Sequence, residues 1–385
     1  MHAGVLAHRR LTHGGDFDIS REFGRRFLAG EPLYAGGLHY PYMPTAAMYF
    51  APLALVPPGV GIAVRYAVAL VCLWLTMRML ARVVPLSTEP VRVTVAAVTL
   101  LLASHAILRD LDDGGPHLIL LALLTGGVAC ARQGRDALAG MWFGLAAALK
   151  APAALFLPFL LWKRQWRPAA YTAVALLAWT ILPALWMGPS SWWRHQSEWM
   201  RVALASAVGA PIPGAAESES RVQNQALKPA LVRYLAWLDG APADASTWPP
   251  ATANRVATLL LVGFLAACAR WMRVPYRIAA SPRWLLECAV VLLLVLLCSP
   301  VTWVQHMVLM IPALYLIVVE DRDRHRLGTP ARGAMVAYVM FALVLNREVI
   351  GRQGSLILLG YQVHTWCVLV ILGILVLRQP TVGSA

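Results

Sequence analysis

The sequence is poor in charge. Only 14% of its 385 residues are Asp, Glu, Lys or Arg, whereas 59% are hydrophobic. A soluble domain could not cover so much apolar material with so little polar surface, so the composition predicts a polytopic membrane protein. The apolar segments also lack the polar and apolar alternation of an outer-membrane barrel, and we therefore expect an all-α fold.

The sequence also lacks paired cysteines. Its six cysteines occur singly, in or at the ends of apolar segments, with no Cys-x-x-Cys motif. This distribution is typical of small core residues rather than of disulfides or metal ligands. Internal repeats are absent as well, which argues against the repeat architecture of many transporters.

The apolar segments predict about nine transmembrane helices in a single integral membrane domain, 1–385. The predicted spans are 59–81, 91–105, 117–131, 168–187, 254–270, 284–298, 304–319, 333–345 and 356–377. Segment 137–162 is too short to cross a core of about 30 Å twice, and it has basic residues on both sides. We expect a re-entrant helical hairpin that turns at Lys150 and Pro152; one long tilted helix with a snorkelling lysine is the alternative.

The arginines follow membrane topology rather than a nucleic-acid site. The formal charge is +14, but the basic residues concentrate in short loops on one side of the predicted spans, which we take as cytoplasmic. The opposite side then includes an N-terminal loop, 1–58, and a long loop, 188–252, with a helical run predicted over 224–238. The first fifteen residues contain no apolar run that could act as a signal or anchor, so we expect a further helix upstream of Met1.

Carboxylates are rare on the outward side, and two of them stand close to the first span. Asp16 and Asp18 belong to Gly-Gly-Asp-Phe-Asp-Ile, and in an extended segment their side chains would point to opposite sides. Asp16 is a candidate general base with Asp18 as its neighbour. The alternative is a solvated acidic cap on a helix that begins near Ile19.

Three further groups are candidates for binding an anion or a cation. Lys150 would lie at membrane depth and His306 at the outer start of a span, where titratable groups are costly and usually functional. The Arg109-Asp-Leu-Asp-Asp113 stretch supplies Arg109 for a phosphate, or carboxylates for a divalent cation, or only a water-facing turn. A packing role for a lone histidine such as His306 is the alternative there.

The order of short motifs resembles glycosyltransferase family 87, the polyprenol-phosphate-mannose-dependent α-mannosyltransferases of the GT-C superfamily. The motifs are Asp16-Phe-Asp-Ile, Arg-Arg-Phe-Leu-Ala-Gly-Glu-Pro-Leu-Tyr (25–34), Tyr40-Pro41, Ala-Pro-Leu-Ala-Leu-Val-Pro (51–57), Leu-Ala-Gly-Met-Trp-Phe-Gly-Leu-Ala-Ala-Ala-Leu-Lys-Ala-Pro (138–152), Asn224-Gln225 and Ser-Pro-Val-Thr-Trp-Val-Gln-His (299–306). Two motifs depart from the family. Gln305-His306 replaces a histidine pair, and Gly114-Gly-Pro-His117 replaces a Gly-Gln-Val-Asn-like stretch.

The resemblance implies a GT-C-type bundle and an inverting membrane hexosyltransferase in a bacterial inner membrane, with its active site facing outward. The expected donor is a polyprenyl-phosphate hexose with mannose as the sugar, and the acceptor is a lipid or glycan hydroxyl. Membrane lipids are expected partners and nucleic acid is not. Asp16 would be the base, Lys150, His306 and Arg109 would hold the phosphate, and Asn224, Gln225 and Tyr40 would contact the sugar. A divalent cation stays open, and the alternative function is a transporter or flippase of a lipid-linked solute.

Overall fold

The chain folds into a bundle of helices. The computed structural model describes residues 15–35, 42–208, 222–238, 251–275 and 281–377, and within these ranges the chain forms helices and turns without a strand. The all-α fold class is therefore confirmed for the part of the chain that the structure describes. An uncharged, Leu- and Ala-rich core passes through the bundle, as expected of helices that satisfy their own backbone polar groups.

The helices are numbered here in chain order. The first nine are α1 (Asp16–Ala29), α2 (Pro44–Ala54), α3 (Pro58–Val83), α4 (Glu89–Leu102), α5 (Ser104–Asp113), α6 (His117–Arg132), α7 (Asp136–Leu149), α8 (Phe156–Trp162) and α9 (Trp166–Ile181). The others are α10 (Ala184–Met187), α11 (Pro189–Val208), α12 (Leu227–Leu238), α13 (Ala251–Trp271), α14 (Arg283–Cys298), α15 (Ile311–Arg322), α16 (Thr329–Val339), α17 (Arg347–Gly360) and α18 (Val363–Leu377). Two 3₁₀ helices, Ala151–Leu155 and Val304–Met310, precede α8 and α15, and a π-helical turn, Met340–Val344, follows α16.

Within the described residues, four helical segments are long and apolar enough to cross a membrane, and six if two bent pairs each count as one span. The four are Pro58–Val83, Trp166–Met187, Thr252–Trp271 and Val304–Arg322. The predicted count of nine is therefore not confirmed. The main differences are local breaks: the predicted span 91–105 bends by 60° between α4 and α5, and the predicted span 356–377 is interrupted at Gln362, whose φ is positive.

The predicted helical hairpin has two arms that meet at Lys150. Helix α7 ends at Leu149, Lys150 has an extended backbone, and the 3₁₀ helix begins at Ala151 with Pro152 in its first turn. The rings of Phe143 and Phe156, one from each arm, stack with centroids 4.6 Å apart. The chain thus folds back on itself at the lysine, because proline cannot continue the ladder of α7.

The hairpin is fixed to α9 by two glycines one helical turn apart. A Cβ added at Gly140 would lie 2.4 Å from Cβ of Tyr171, and one added at Gly144 would lie 2.6 Å from Cβ of Ala175. The spacing Gly-x-x-x-Gly lets the two helix backbones approach closely, as in many membrane helix pairs. This contact places the end of α7, and therefore Lys150, relative to the rest of the bundle.

Helix α1 lies on α2 rather than projecting from the bundle. A Cβ at Gly24 would come within 2.6 Å of the Phe50 carbonyl, so the helices touch through their backbones. Arg21 donates to the carbonyls of Leu53 (3.2 Å) and Val56 (3.1 Å) at the end of α2. These contacts orient the amino-terminal turn of α1, which carries Asp16 and Asp18.

A cluster of ion pairs stabilises the far end of α1. Arg25 donates to Glu22 and Glu31 at 2.8 and 2.6 Å, and Arg26 donates to Glu22 at 2.9 Å. The hydrogen bond from Arg25 lowers the pKa of the Glu22 carboxyl to about 2, although partial burial acts in the opposite direction. The cluster therefore stays charged at neutral pH.

We predict that Gly140→Ala destabilises the protein although alanine is the better helix former. The new methyl group would overlap Tyr171, and overpacking of this kind costs about 1–3 kcal/mol, more than the helix propensity that alanine gains. The apparent melting temperature in detergent measures the effect. Gly263→Ala in α13 is the matched control, since its Cβ would meet no atom within 4 Å. Equal melting temperatures for the two variants would contradict the close contact between α7 and α9.

Candidate active site

Lys150 is the centre of a cluster of polar side chains inside the bundle. Its Nζ lies 2.8 Å from Nε2 of His117 and 3.3 Å from Nε2 of His306, and it lies 5.9 Å from the ring centroid of Tyr42. The lysine is half-buried, whereas the two histidines and the tyrosine are buried. A cation in such a position needs hydrogen-bond acceptors to offset its lost hydration.

Asp110 and His117 supply that acceptor. Oδ1 of Asp110 lies 2.7 Å from Nδ1 of His117, and both side chains are almost completely buried. The carboxylate is an acceptor, so Nδ1 of His117 carries the proton and Nε2 is left to accept from Lys150. The result is a hydrogen-bonded chain from Asp110 through His117 to Lys150.

The amino terminus of α6 holds Asp110 in place. The backbone N–H groups of Leu118 (3.2 Å) and His117 (3.4 Å) donate to the carboxylate, which therefore caps α6 from the preceding helix. Gly114 has a φ of 69°, and a Cβ at Gly115 would lie 2.7 Å from the His117 ring. The Gly-Gly-Pro sequence before His117 is thus what lets the chain turn tightly enough for this contact.

His306 approaches Lys150 from the 3₁₀ helix Val304–Met310, and its ring centroid lies 4.0 Å from that of His117. The backbone N–H of Trp303 donates to its Nδ1 at 3.2 Å, so a neutral His306 ring carries its proton on Nε2. Nε2 of His306 and Nζ of Lys150 are then both donors. The His306 ring also makes a hydrogen bond with the Val301 backbone, and its Nε2 lies 3.3 Å from Nζ of Lys150.

Asp16 interacts electrostatically with this cluster, whereas Asp18 is exposed. Asp16 is half-buried and lies within electrostatic range of Lys150 and Tyr42, whereas Asp18 is exposed. The expected extended segment is wrong here. Helix α1 begins at Asp16 rather than near Ile19, because carboxylates favour the positive end of a helix. The two side chains still point apart, since residues two apart on a helix lie on different faces.

Arg109 lies outside the cluster. It pairs with Asp112 (3.4 Å) and Asp113 (3.7 Å), its neighbours at i+3 and i+4 on α5. The three aspartates of this stretch do not converge, because Asp110 points to His117. Among the residues that the structure describes, no group of three or more His, Cys, Asp or Glu side chains is arranged to hold a metal ion.

Asn224 and Gln225 are buried and bonded to the protein itself. Asn224 donates to the Pro300 carbonyl (2.9 Å) and accepts from the N–H of Thr302 (3.0 Å). Gln225 donates to the Leu359 carbonyl and accepts from the N–H of His364. The two amides therefore hold the segment before His306 against the start of α18. Tyr40 lies outside the described residues.

Two buried residues of this region were not among the sequence-predicted site residues. In the sequence, His117 is distinguished only as part of a departure from a family motif, whereas in the structure it lies beside Lys150. Arg65 lies in the first third of the apolar helix α3 and is 5% exposed. An arginine within an apolar run is itself a signal of function, the same signal that identified Lys150.

Comparison with known proteins gives one family. The sequence model of glycosyltransferase family 87 matches residues 40–300. The chain is also 29% identical over 344 residues to the polyprenol-phosphate-mannose-dependent alpha-(1-2)-phosphatidylinositol mannoside mannosyltransferase of Mycobacterium tuberculosis, a match that covers 82% of this chain and 73% of the relative. No solved structure matches the chain.

We predict that Asn224→Ala lowers stability. The substitution would leave the N–H of Thr302 and the carbonyl of Pro300 without these partners, at a cost of about 1–3 kcal/mol for each buried group. The apparent melting temperature in detergent should fall, and Gln353→Ala on the exposed surface of α17 should leave it unchanged. An unchanged melting temperature for Asn224→Ala would show that the amide is not needed to hold this segment.

Proposed function

The chain belongs to glycosyltransferase family 87, and on that premise we propose that it transfers a hexose, with mannose as the expected sugar, from a polyprenyl phosphate to a lipid or glycan hydroxyl. The relative from Mycobacterium tuberculosis, which is polyprenol-phosphate-mannose-dependent by its name, supports the class of donor. The reaction would take place on the outer face of the inner membrane. For the acceptor we propose only the reacting group, a hydroxyl.

One observation supports the assignment most strongly: a half-buried carboxylate, Asp16, interacts electrostatically with Lys150, which lies in a group of side-chain nitrogen atoms. Transfer from a sugar phosphate needs a base for the acceptor proton and positive charge for the leaving phosphate. In this proposal Asp16 would be the base and Lys150 and His306 would supply the donors for the phosphate. A carboxylate alone, or a cation alone, would not favour this reaction over others.

The proposed mechanism is a single displacement. Asp16 takes the proton of the acceptor hydroxyl, and the oxygen forms a bond to the anomeric carbon from the face opposite the phosphate. The bond between that carbon and the phosphate oxygen breaks, and its electron pair stays on the polyprenyl phosphate. The anomeric configuration is inverted. Lys150 and His306 donate to the phosphate and stabilise the charge that it gains.

The remaining site residues take supporting roles in this proposal. Asp110 and His117 orient Lys150, and Asn224 and Gln225 position the segment that leads to His306. We do not include Arg109 among the phosphate ligands, because Asp112 and Asp113 already pair with it. Asp18 is exposed and is proposed only to support the charge distribution at the start of α1.

The proposed topology follows from the distribution of arginines. The short loops around 132–135, 163–167, 270–283 and 322–332 would face the cytoplasm, and Asp16 and His306 would face outward. The hairpin 137–162 would then enter and leave on the cytoplasmic side, with Lys150 at its deepest point. About nine passes require that several helices shorter than eighteen residues also cross or partly cross the bilayer.

We predict that Asp16→Asn abolishes transfer of labelled mannose from polyprenyl-phosphate-mannose to membrane extracts. Asparagine has nearly the same shape but cannot accept the proton, and loss of a general base lowers a rate by about 100-fold or more. Asp18→Asn is the matched control. The same change two residues along, at an exposed position, should leave the rate within a few-fold of wild type.

Two results would overturn this proposal. The first is full activity of Asp16→Asn, which would exclude its carboxylate as the base. The second is the absence of transfer by folded wild-type protein with any polyprenyl-phosphate sugar, which would favour transport of a lipid-linked solute. Retention of the anomeric configuration in the product would separately exclude the single displacement.

A further inference from the structure

Arg65 is a buried cation on an otherwise apolar stripe of α3. The buried residues of this helix recur at helical spacing, and they are Gly61, Arg65, Ala69, Thr76, Leu80 and Val83. Arg65 therefore points into the bundle with the core residues rather than toward lipid. Only 5% of its surface is exposed. A guanidinium cannot be neutralised by losing a proton, so its charge must be balanced in place.

The guanidinium of Arg65 has no hydrogen-bond partner among the described residues. Its Nε and both terminal nitrogens are buried and unbonded. Charged groups in protein interiors are almost always paired, because an unpaired charge loses its hydration without compensation. A buried arginine whose guanidinium donates no hydrogen bond indicates a binding site for an anion beside it.

Asp110 is one protein candidate for that anion, but its oxygen atoms already accept other hydrogen bonds. It lies within electrostatic range of Arg65, yet its oxygens accept from the ring of His117 and from the backbone N–H groups of His117 and Leu118. The carboxylate thus lowers the electrostatic cost of Arg65 without filling its fork. A ligand is needed for the fork itself.

Arg65 and Lys150 share neighbouring residues, so Arg65 belongs to the cluster around Lys150. Arg65 lies within electrostatic range of Asp110, His117 and Tyr42, and Lys150 contacts His117 and the ring of Tyr42 directly. Arg65 and Lys150 bring two positive charges, and Asp110 brings one negative charge. Asp16 brings a second negative charge, so these charges balance, but the guanidinium of Arg65 still has no hydrogen-bond partner among the described residues.

We propose that Arg65 binds the phosphate of the polyprenyl-phosphate donor, with two guanidinium N–H groups donating to two non-bridging oxygens. This assignment rests on the proposed function and adds a ligand to its phosphate site. The planar fork of arginine matches phosphate geometry, whereas the three donors of lysine share one nitrogen atom and a histidine ring nitrogen offers one donor. Arg65 would fix the orientation of the phosphate, and Lys150 and His306 would complete its coordination.

The test is binding of farnesyl phosphate to the purified full chain, measured by the ligand-dependent rise in melting temperature in detergent. Arg65→Met should weaken binding by about 100-fold, since charge-assisted hydrogen bonds are lost. Arg65→Lys should give an intermediate affinity, because it keeps the charge and loses the fork. Arg78→Met is the matched control: it removes an arginine from the same helix at an exposed position, and its affinity should equal that of wild type.

The empty protein supplies a second readout. If Arg65 serves a ligand, Arg65→Met should melt at or above the wild-type temperature without farnesyl phosphate, because an unpaired buried charge has been removed. A merely structural arginine would give the opposite result. Loss of folded protein in Arg65→Met, or an unchanged affinity for farnesyl phosphate, would overturn the proposal.

Two further arms separate the outcomes. Farnesol, inorganic phosphate and phosphatidic acid should each bind much more weakly than farnesyl phosphate, and equal binding of phosphatidic acid would overturn the assignment to the donor. Binding of farnesyl phosphate can be measured without turnover. If binding depends on Arg65 but no sugar is transferred, the proposed transferase function would be excluded and the proposed phosphate site would be retained. If wild type transfers the sugar, and Arg65→Met binds farnesyl phosphate and transfers the sugar equally well, only the role proposed for Arg65 would be excluded.

Discussion

The contact between Asp110 and His117 is the interaction on which the rest of the site depends. It joins two buried side chains at 2.7 Å and fixes which nitrogen of His117 faces Lys150. Without it, the half-buried ammonium would lose the acceptor that makes its position tolerable. The same carboxylate caps α6, so secondary structure and site geometry are set by one residue. A buried polar chain of this kind is stable only when every member is bonded.

This chain of contacts also explains why the site needs parts of the molecule that are far apart in sequence. Lys150 comes from the break in a hairpin, His306 from a 3₁₀ helix that follows a short extended segment, and Asp16 from a helix packed on α2. Each lies at a helix end or an interruption, where the backbone can bring a side chain inward without leaving its own polar groups unpaired. Regular helices form the walls of the candidate site, and its polar side chains come from helix ends and breaks.

The sequence predicted the helical class and the hairpin break because both depend on local signals, a long apolar run and a Lys-Ala-Pro step. It could not predict the partners of Arg109. These are the residues at i+3 and i+4 on α5, and such pairs can be assigned only when the bounds of the helix are known. Asn224 and Gln225 were expected to contact a sugar, and the structure gives them backbone partners more than seventy residues away. The number of spans also depends on bends that hydropathy does not report.

Charge balance links the anion site to the direction of the proposed reaction. A donor phosphodiester has one negative charge, and the released phosphate monoester carries nearly two at neutral pH. The positive charges of Arg65 and Lys150 would attract the second more strongly than the first, so the cluster favours the bond-breaking step. The proton that Asp16 gains at the same time removes a negative charge from the opposite side. The cost of this arrangement is tight binding of the product, so its release would compete with chemistry as the slow step.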